Sequence, residues 1–145
     1  MKATKTPTLK LEVRHDNDLL RRNGIYMAAT DNRTVYVDDL YDRMPLPVKR
    51  YLLLHEEGHI IAGHPHKRIL SQELEADNYA KSKLGKVITF MVMRYLIMVF
   101  NKIDWTVSAA FMVRLADLGC EKAKDMIITA PNGLRFDVDT IRKYL

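Results

Sequence analysis

The sequence predicts an α+β fold, in which a small three-stranded antiparallel sheet comes first and helices make up the rest. Two observations carry this prediction. Runs rich in β-branched and aromatic residues fall within residues 1–46, whereas residues 47–145 show the apolar spacing of helices. The 145 residues, 48% of them hydrophobic, can bury one core, and no internal repeat or low-complexity linker divides them. We therefore expect a single domain, mainly β up to residue 46 and mainly α from residue 47.

Three segments have the pattern of strands. Residues 8–14 alternate apolar with charged side chains, which is the period of a half-buried strand. The runs GIYMAA, from Gly24, and TVYV, from Thr34, are separated by the polar residues TDNR, which is typical of a hairpin. We expect all three strands to precede the first substantial helix.

Helical patterns follow one another from Pro47, which suits the first turn of a helix because its missing N–H costs nothing there. The run from Val87 to Phe100 is the most apolar, but its 14 residues include Arg94 and are fewer than the roughly 20 that a bilayer span needs. We interpret it as a buried helix. The expected helices cover residues 47–62, 71–84, a third that ends near 101, a fourth capped by Asp104 or Thr106 and closed at Gly119, 121–130, and a last one capped by Asp137.

Composition indicates a cytoplasmic protein. Cys120 is the single cysteine, so neither an intramolecular disulfide nor a cysteine zinc cluster can form, and the first ten residues lack the apolar core of a secretory signal. The net charge of +5 allows an acidic protein or a nucleic acid as partner. Because the basic residues are scattered along the chain, a solvated surface is favoured over a nucleic-acid site, and no membrane partner is expected.

The segment HEEGH, residues 55–59, has the pattern H-E-x-x-H inside the first predicted helix. Residues four apart project from one face of a helix, so His55 and His59 can bind one metal ion. Glu56 lies beside that pair, where it can take a proton from water without binding the metal. The pattern predicts one Zn²⁺ per chain, with Glu56 as general base.

A catalytic zinc site needs a third protein ligand, and the segment ELEAD supplies a candidate. Glu73 and Asp77 lie four apart on the second predicted helix, whereas Glu75 is offset and should point away. We expect Glu73 to bind the metal and Asp77 to accept a ring N–H of a ligating histidine. His64 and His66 are alternative ligands, and His64, His66 and Tyr79 are the candidates for binding the oxyanion of the transition state.

The order of the segments TVYVDDL, YLLLHEEGHIIAGH, ELEADNYA and WTVSAAFMVRLADLG resembles the ImmA/IrrE-type metalloendopeptidases, over about residues 24–120. The resemblance implies a small zincin-like domain, with zinc held by His55, His59 and Glu73 and with Glu56 as general base. It also implies a protein substrate, namely a helix-turn-helix transcriptional repressor of a phage or mobile element. ELEAD is also similar to a segment of HtpX-type peptidases, whose membrane helices the sequence lacks.

Two other classes of function stay open. A repressor-binding or nucleic-acid-binding module is one, because residues 104–119 have the look of the second helix of a helix-turn-helix, although few of their side chains are polar enough to read base edges. A structural zinc protein is the other, with the fourth metal position closed by His64 or His66. Such a protein would unfold without its metal and would be insensitive to replacement of Glu56 by glutamine.

Overall fold

The chain divides into two units, Met1–His66 and Lys67–Leu145, in a computed structural model that describes residues 11–31, 33–64 and 69–144. The described elements of the first unit are, in order, β1 (Glu12–His15), α1 (Asn17–Arg22), β2 (Ala28–Asp31), β3 (Thr34–Val37), α2 (Asp39–Asp42) and α3 (Leu46–Ala62). Those of the second unit are α4 (Leu70–Leu84), α5 (Lys86–Ile103), α6 (Trp105–Asp117), a 3₁₀ turn (Glu121–Asp125), β4 (Ile128–Thr129), β5 (Arg135–Phe136) and α7 (Val138–Arg142). The predicted α+β class is confirmed.

The sheet of the first unit is mixed, so the prediction of an antiparallel sheet is wrong. Strand β3 lies in the middle, pairs with β2 as an antiparallel hairpin and pairs with β1 in parallel. The reason is α1, a helix that the sequence analysis missed. Because α1 and the residues after it carry the chain from the end of β1 to the start of β2, these two strands do not form a tight hairpin, and β3 fits between them.

The strand boundaries differ from the prediction for local reasons. Residues 8–10 of the first predicted strand lie outside the described residues, and in β1 itself Val13 is 46% exposed, so the strand is not half-buried. The second predicted strand was placed from Gly24, but β2 begins at Ala28. Gly24 and Met27 have φ of 65° and 69°, and these left-handed conformations interrupt an extended chain.

A buried carboxylate, that of Asp38, organises the end of this sheet. One of its oxygens accepts the N–H of Met27 at 2.8 Å and pairs with Arg21 Nη1 at 2.9 Å, and the other accepts the N–H of Tyr41 at 2.8 Å. The first bond holds Met27 in a left-handed conformation that costs roughly 1–2 kcal/mol in a residue with a side chain. Asp38 thereby joins α1, the start of β2 and the N-terminus of α2.

We expect Asp38→Ala to lower the free energy of unfolding by about 1–3 kcal/mol, because buried donors lose their acceptor. The neighbouring Asp39→Ala is the matched control, since the Asp39 side chain is 62% exposed and its loss should cost less than about 1 kcal/mol. Urea denaturation of both variants measures the difference. Equal losses for the two variants would show that the buried position of Asp38 carries no special stabilisation.

Helix α3 confirms the prediction of a helix over residues 47–62. It begins at Leu46 with Pro47 in its first turn and ends at Gly63, which has φ 68° and ψ 31°. Tyr51 and Leu52 are buried, and the helix packs against β2. The buried face of α3 therefore includes the histidine segment.

The second unit is helical around a core shared by α5 and α6. The predicted helices over residues 71–84, up to 101, and from 104 are confirmed as α4, α5 and α6, and Asp104 caps α6 by accepting the N–H of Thr106 at 3.1 Å. Phe100 stacks on Phe111 with ring centroids 6.0 Å apart. Among the described residues, no helix combines the length and apolarity that crossing a membrane requires.

The end of the chain follows the prediction only in part. The prediction of a helix over residues 121–130 is wrong. Only a five-residue 3₁₀ turn forms there, and the chain then enters the two-residue strand β4. Strand β4 pairs with β5 across the segment PNG, whose Gly133 has φ 87°. Asp137 caps α7, as predicted, by accepting the N–H of Thr140 at 2.8 Å.

Candidate metal centre

The residues predicted to form the site belong to both units. The first unit contains His55, Glu56, His59 and His64, and the second contains Glu73, Asp77 and Tyr79. His66 lies outside the described residues.

The two histidines of the H-E-x-x-H pattern present the same ring nitrogen to each other. Nε2 of His55 and Nε2 of His59 are 3.0 Å apart, and the two rings are nearly perpendicular, at 87°. His55 is 5% exposed and His59 is half-buried. One turn of α3 between the two residues produces this convergence, as the sequence predicted.

The separation of the two nitrogens fits a shared metal ion. Two nitrogens bound to one tetrahedral zinc, each at about 2.0–2.1 Å, are about 3.3 Å apart. The 3.0 Å between the nitrogens of His55 and His59 is close to that value. The two nitrogens would need to lie about 0.3 Å further apart to share one ion.

Glu56 and Glu57 follow His55 on the same helix but differ in burial. Glu56 is 8% exposed, whereas Glu57 is half-buried. Burying a carboxylate is costly unless its interactions compensate, and a surface helix has no need of it. Glu56 is therefore a buried carboxylate directly next in sequence to the first histidine of the pair.

His64 approaches the opposite side of the His59 ring. The N–H of Gly63 donates to the carbonyl of Ile60, and the N–H of His64 donates to the carbonyl of His59 at 3.0 Å, which together form a Schellman motif. This turn places Nδ1 of His64 2.9 Å from Nδ1 of His59. That nitrogen of His64 is therefore beside the ring nitrogen of His59 that faces away from His55.

In the second unit, a buried arginine contacts two of the three carboxylates of ELEAD, those of Glu73 and Asp77. Asp77 is fully buried, and its carboxylate accepts hydrogen bonds from Nε and Nη2 of Arg114 at 2.7 and 2.6 Å. Nη1 of the same guanidinium is 3.6 Å from an oxygen of Glu73. The spacing of four residues puts Glu73 and Asp77 on one face of α4, as predicted, and Glu75 is exposed on another.

Sequence reasoning missed Arg114. Its guanidinium also lies 4.5 Å from the ring centroid of Phe111. An aromatic face and a carboxylate therefore both stabilise the position of the guanidinium. The available signal was a single cation within the apolar residues 109–115, because a charge on a buried helix face needs a partner. Its partner could not be named, since Asp77 is 37 residues away in the chain.

Tyr79 lies on a different face of α4 from Glu73. Six residues separate the two, which is about 240° of rotation in a helix with 3.6 residues per turn. The ring of Tyr79 is half-buried, and Lys83 Nζ is 5.5 Å from its centroid. The role of Tyr79 as an oxyanion donor stays a prediction.

A second group with metal-binding side chains lies on the surface of the first unit. Nε2 of His15 is 2.8 Å from a carboxylate oxygen of Asp39 and 3.1 Å from one of Asp42. The side-chain amide of Asn17 donates to Asp39, and this hydrogen bond is the largest cause that lowers the pKa of that carboxyl. All three groups are exposed, and exposed groups of this kind commonly lie together without a metal ion.

Helix α6, which the sequence offered as the second helix of a helix-turn-helix, is mostly buried. In α6, Met112, Val113 and Leu115 are fully buried, and Ala109 is 5% exposed. Side chains that fill a core cannot contact base edges in a groove. The burial of α6 weighs against the nucleic-acid module.

Comparison with known proteins finds no matching family model, no matching curated protein and no matching solved structure. The resemblance to ImmA/IrrE-type metalloendopeptidases therefore stays a prediction from the sequence motifs. The chemistry of the candidate site follows from its own side chains.

Proposed function

We propose that the protein is a zinc-dependent endopeptidase that hydrolyses a protein substrate. The observation that carries the proposal is the convergence of Nε2 of His55 and Nε2 of His59 to 3.0 Å on one face of α3. Glu56, which lies between the two histidines in the sequence, is buried. Two imidazoles at this separation fit a zinc ion, and a neighbouring carboxylate fits a general base. The sequence pattern and the local geometry thus point to the same chemistry.

His55 and His59 would hold the metal, and Glu73 is the third ligand in this proposal. In the second unit, Glu73 is held near Arg114 on the same face of α4 as Asp77. His64 is a weaker candidate for the third ligand, because its Nδ1 faces the other ring nitrogen of His59. When bound, zinc supplies a Lewis acid that polarises the scissile carbonyl and lowers the pKa of a water molecule.

Glu56 performs the proton transfers of the proposed reaction. Its carboxylate takes a proton from the attacking water and then gives that proton to the nitrogen of the leaving amine. Residue 56 lies about 100° from residue 55 and about 60° from residue 59 around the helix, so Glu56 borders the histidine pair without sharing its direction. The burial of Glu56 reduces competition from bulk water.

The sheet suggests how an extended substrate would bind. Of the two segments that the sequence offers for strand addition, TVYV is the central strand β3 and already pairs on both sides. The other, GIYM, leads into β2, an edge of the described sheet that packs against α3. We therefore place the extended substrate along β2, where main-chain hydrogen bonds would hold it close to the histidine helix.

The substrate class rests on the sequence resemblance. ImmA/IrrE-type enzymes cut helix-turn-helix repressors, and a repressor of a phage or mobile element is accordingly the first protein to test. A repressor fragment with an accessible extended segment should be cut, because strand addition along β2 requires one. Cleavage fragments identified by mass spectrometry would define the site.

Metal analysis tests the proposed ligands directly. We expect about one zinc per chain after dialysis against zinc, and at least a hundredfold weaker zinc binding in His59→Ala and Glu73→Ala, because each loses one of three ligands. Glu75→Ala is the matched control, since Glu75 lies on the same helix but is exposed on another face.

Elemental analysis and competition with a chromogenic chelator give the stoichiometry and the affinity. If the wild type binds no zinc even when zinc is added, the enzyme proposal is wrong. If Glu73→Ala binds zinc as the wild type does, the peptidase site needs another third ligand.

A further inference from the structure

We propose that His64 is a positioning residue, whose ring holds His59 in the tautomer that leaves Nε2 available to the metal. The inference rests on the proposed function, since it assigns a role toward the zinc ion. The observation behind it is the 2.9 Å contact between Nδ1 of His59 and Nδ1 of His64. Neither the H-E-x-x-H pattern nor the ELEAD segment assigns this role.

A contact of 2.9 Å between two imidazole nitrogens is a hydrogen bond in which one nitrogen donates and the other accepts. A histidine that binds a metal through Nε2 is neutral and carries its proton on Nδ1. Nδ1–H of His59 is then the donor, and the lone pair of Nδ1 of His64 is the acceptor. In the opposite arrangement His59 would carry its proton on Nε2, next to His55, and could not bind the ion.

The backbone brings residue 64 back beside residue 59. Gly63 adopts φ 68° and ψ 31°, a conformation that favours glycine, and the resulting Schellman motif returns residue 64 to residue 59. The N–H of His64 donates to the carbonyl of His59 at 3.0 Å. His64 is therefore tied to His59 through both its backbone and its ring.

The same geometry separates this role from that of a metal ligand. Nδ1 of His64 is beside Nδ1 of His59, whereas His55 is beside Nε2 of His59, 3.0 Å away. The two contacts use opposite sides of one ring. Partners of this kind orient metal-binding histidines and raise the basicity of the bound nitrogen, and their loss typically weakens metal affinity about 10–100-fold.

The test compares His64→Phe with His64→Asn. Phenylalanine keeps a flat ring but removes the acceptor, so zinc should bind about 10–100-fold more weakly. Asparagine offers a side-chain oxygen as acceptor and should recover most of the affinity. Glu75→Ala is the matched control, because Glu75 is exposed on another face of α4 and its replacement should leave zinc affinity unchanged.

Zinc affinity is measured by chelator competition, and the visible absorption of the cobalt-substituted protein reports the ligand set. We expect His64→Phe to keep the cobalt spectrum of the wild type, since the ligands are unchanged. Equal zinc affinity in His64→Phe and the wild type, or equally weak binding in His64→Asn and His64→Phe, would overturn the positioning role.

A changed cobalt spectrum in His64→Phe, together with retained zinc in Glu73→Ala, would instead make His64 a ligand and also overturn the inference. These outcomes differ from failure of the proposed function. In that case the wild type itself would bind neither zinc nor cobalt.

Discussion

Replacing Arg114 by methionine is expected to lower the free energy of unfolding by about 3–5 kcal/mol, the largest stability effect anticipated for a single residue of this chain. Arg114 donates two hydrogen bonds, of 2.7 and 2.6 Å, to the fully buried carboxylate of Asp77. Methionine fills a similar volume but leaves that carboxylate without its counter-ion in the core of the second unit. The cost is that of breaking a buried, doubly hydrogen-bonded charge pair by removing one partner.

The matched control is Arg142→Met. Arg142 pairs with Asp117 in the same unit, but this pair is at the surface, with side-chain exposures of 41% and 24%. Solvent screens such a pair, and its loss should cost less than about 1 kcal/mol. Urea denaturation of the two variants gives the comparison. A loss below about 1 kcal/mol in Arg114→Met would contradict the burial of the Asp77 pair.

The double variant Arg114→Met with Asp77→Leu separates charge from packing. The double variant removes the buried carboxylate together with its guanidinium partner, and we expect most of the stability to return. Zinc binding in the double variant should still be impaired, because Glu73 loses the guanidinium nitrogen 3.6 Å away that holds its carboxylate. Recovered stability with weakened zinc binding would show that the pair serves the site rather than the fold.

The sequence predicted the helices well because their signals are local. The boundaries of α3 follow from Pro47 at its start and Gly63 at its end, and Asp104 and Asp137 cap α6 and α7 as expected. Apolar spacing and capping residues act over one or two turns, so a single sequence contains them.

The errors concern pairings that are distant in sequence or elements too short to show a period. The parallel pairing of β1 with β3 depends on where the chain returns after α1, and that helix of six residues has fewer than two turns. Strands β4 and β5, of two residues each, have no alternation to detect. The pairing of Arg114 with Asp77 was not predicted because the two residues are 37 positions apart in the chain.

The candidate site was predictable where one helix holds it. His55 and His59 are brought together by helical geometry alone, and Glu56 is buried beside them. The sequence offered His64 as an alternative ligand that a sharp turn at Gly63 could bring to the site, but it did not predict the contact of His64 with Nδ1 of His59, which depends on the Schellman hydrogen bonds after Gly63. A glycine directly before a histidine at a helix end was the available signal.

Glu56→Gln is expected to have the largest effect on activity, a decrease in the rate of peptide hydrolysis of about 10²–10⁴-fold. Glutamine has nearly the same shape as glutamate, but its amide cannot accept a proton from water near neutral pH. Because Glu56 does not bind the metal in the proposed site, the variant should keep about one zinc per chain. Hydrolysis is measured by mass spectrometry on a peptide library, and zinc by elemental analysis.

Glu57→Gln is the matched control, since it makes the same chemical change one residue further along α3, at a side chain that is half-buried rather than buried. Residue 57 lies about 200° from residue 55 around the helix, on the side away from the histidine pair, so its replacement should leave hydrolysis and zinc content near wild-type values. A structural zinc protein would respond differently, because neither glutamine variant would alter any activity. Equal hydrolysis by Glu56→Gln and the wild type would therefore remove Glu56 as the base, whereas loss of hydrolysis in Glu56→Gln alone, with zinc retained, would assign the proton transfer to Glu56.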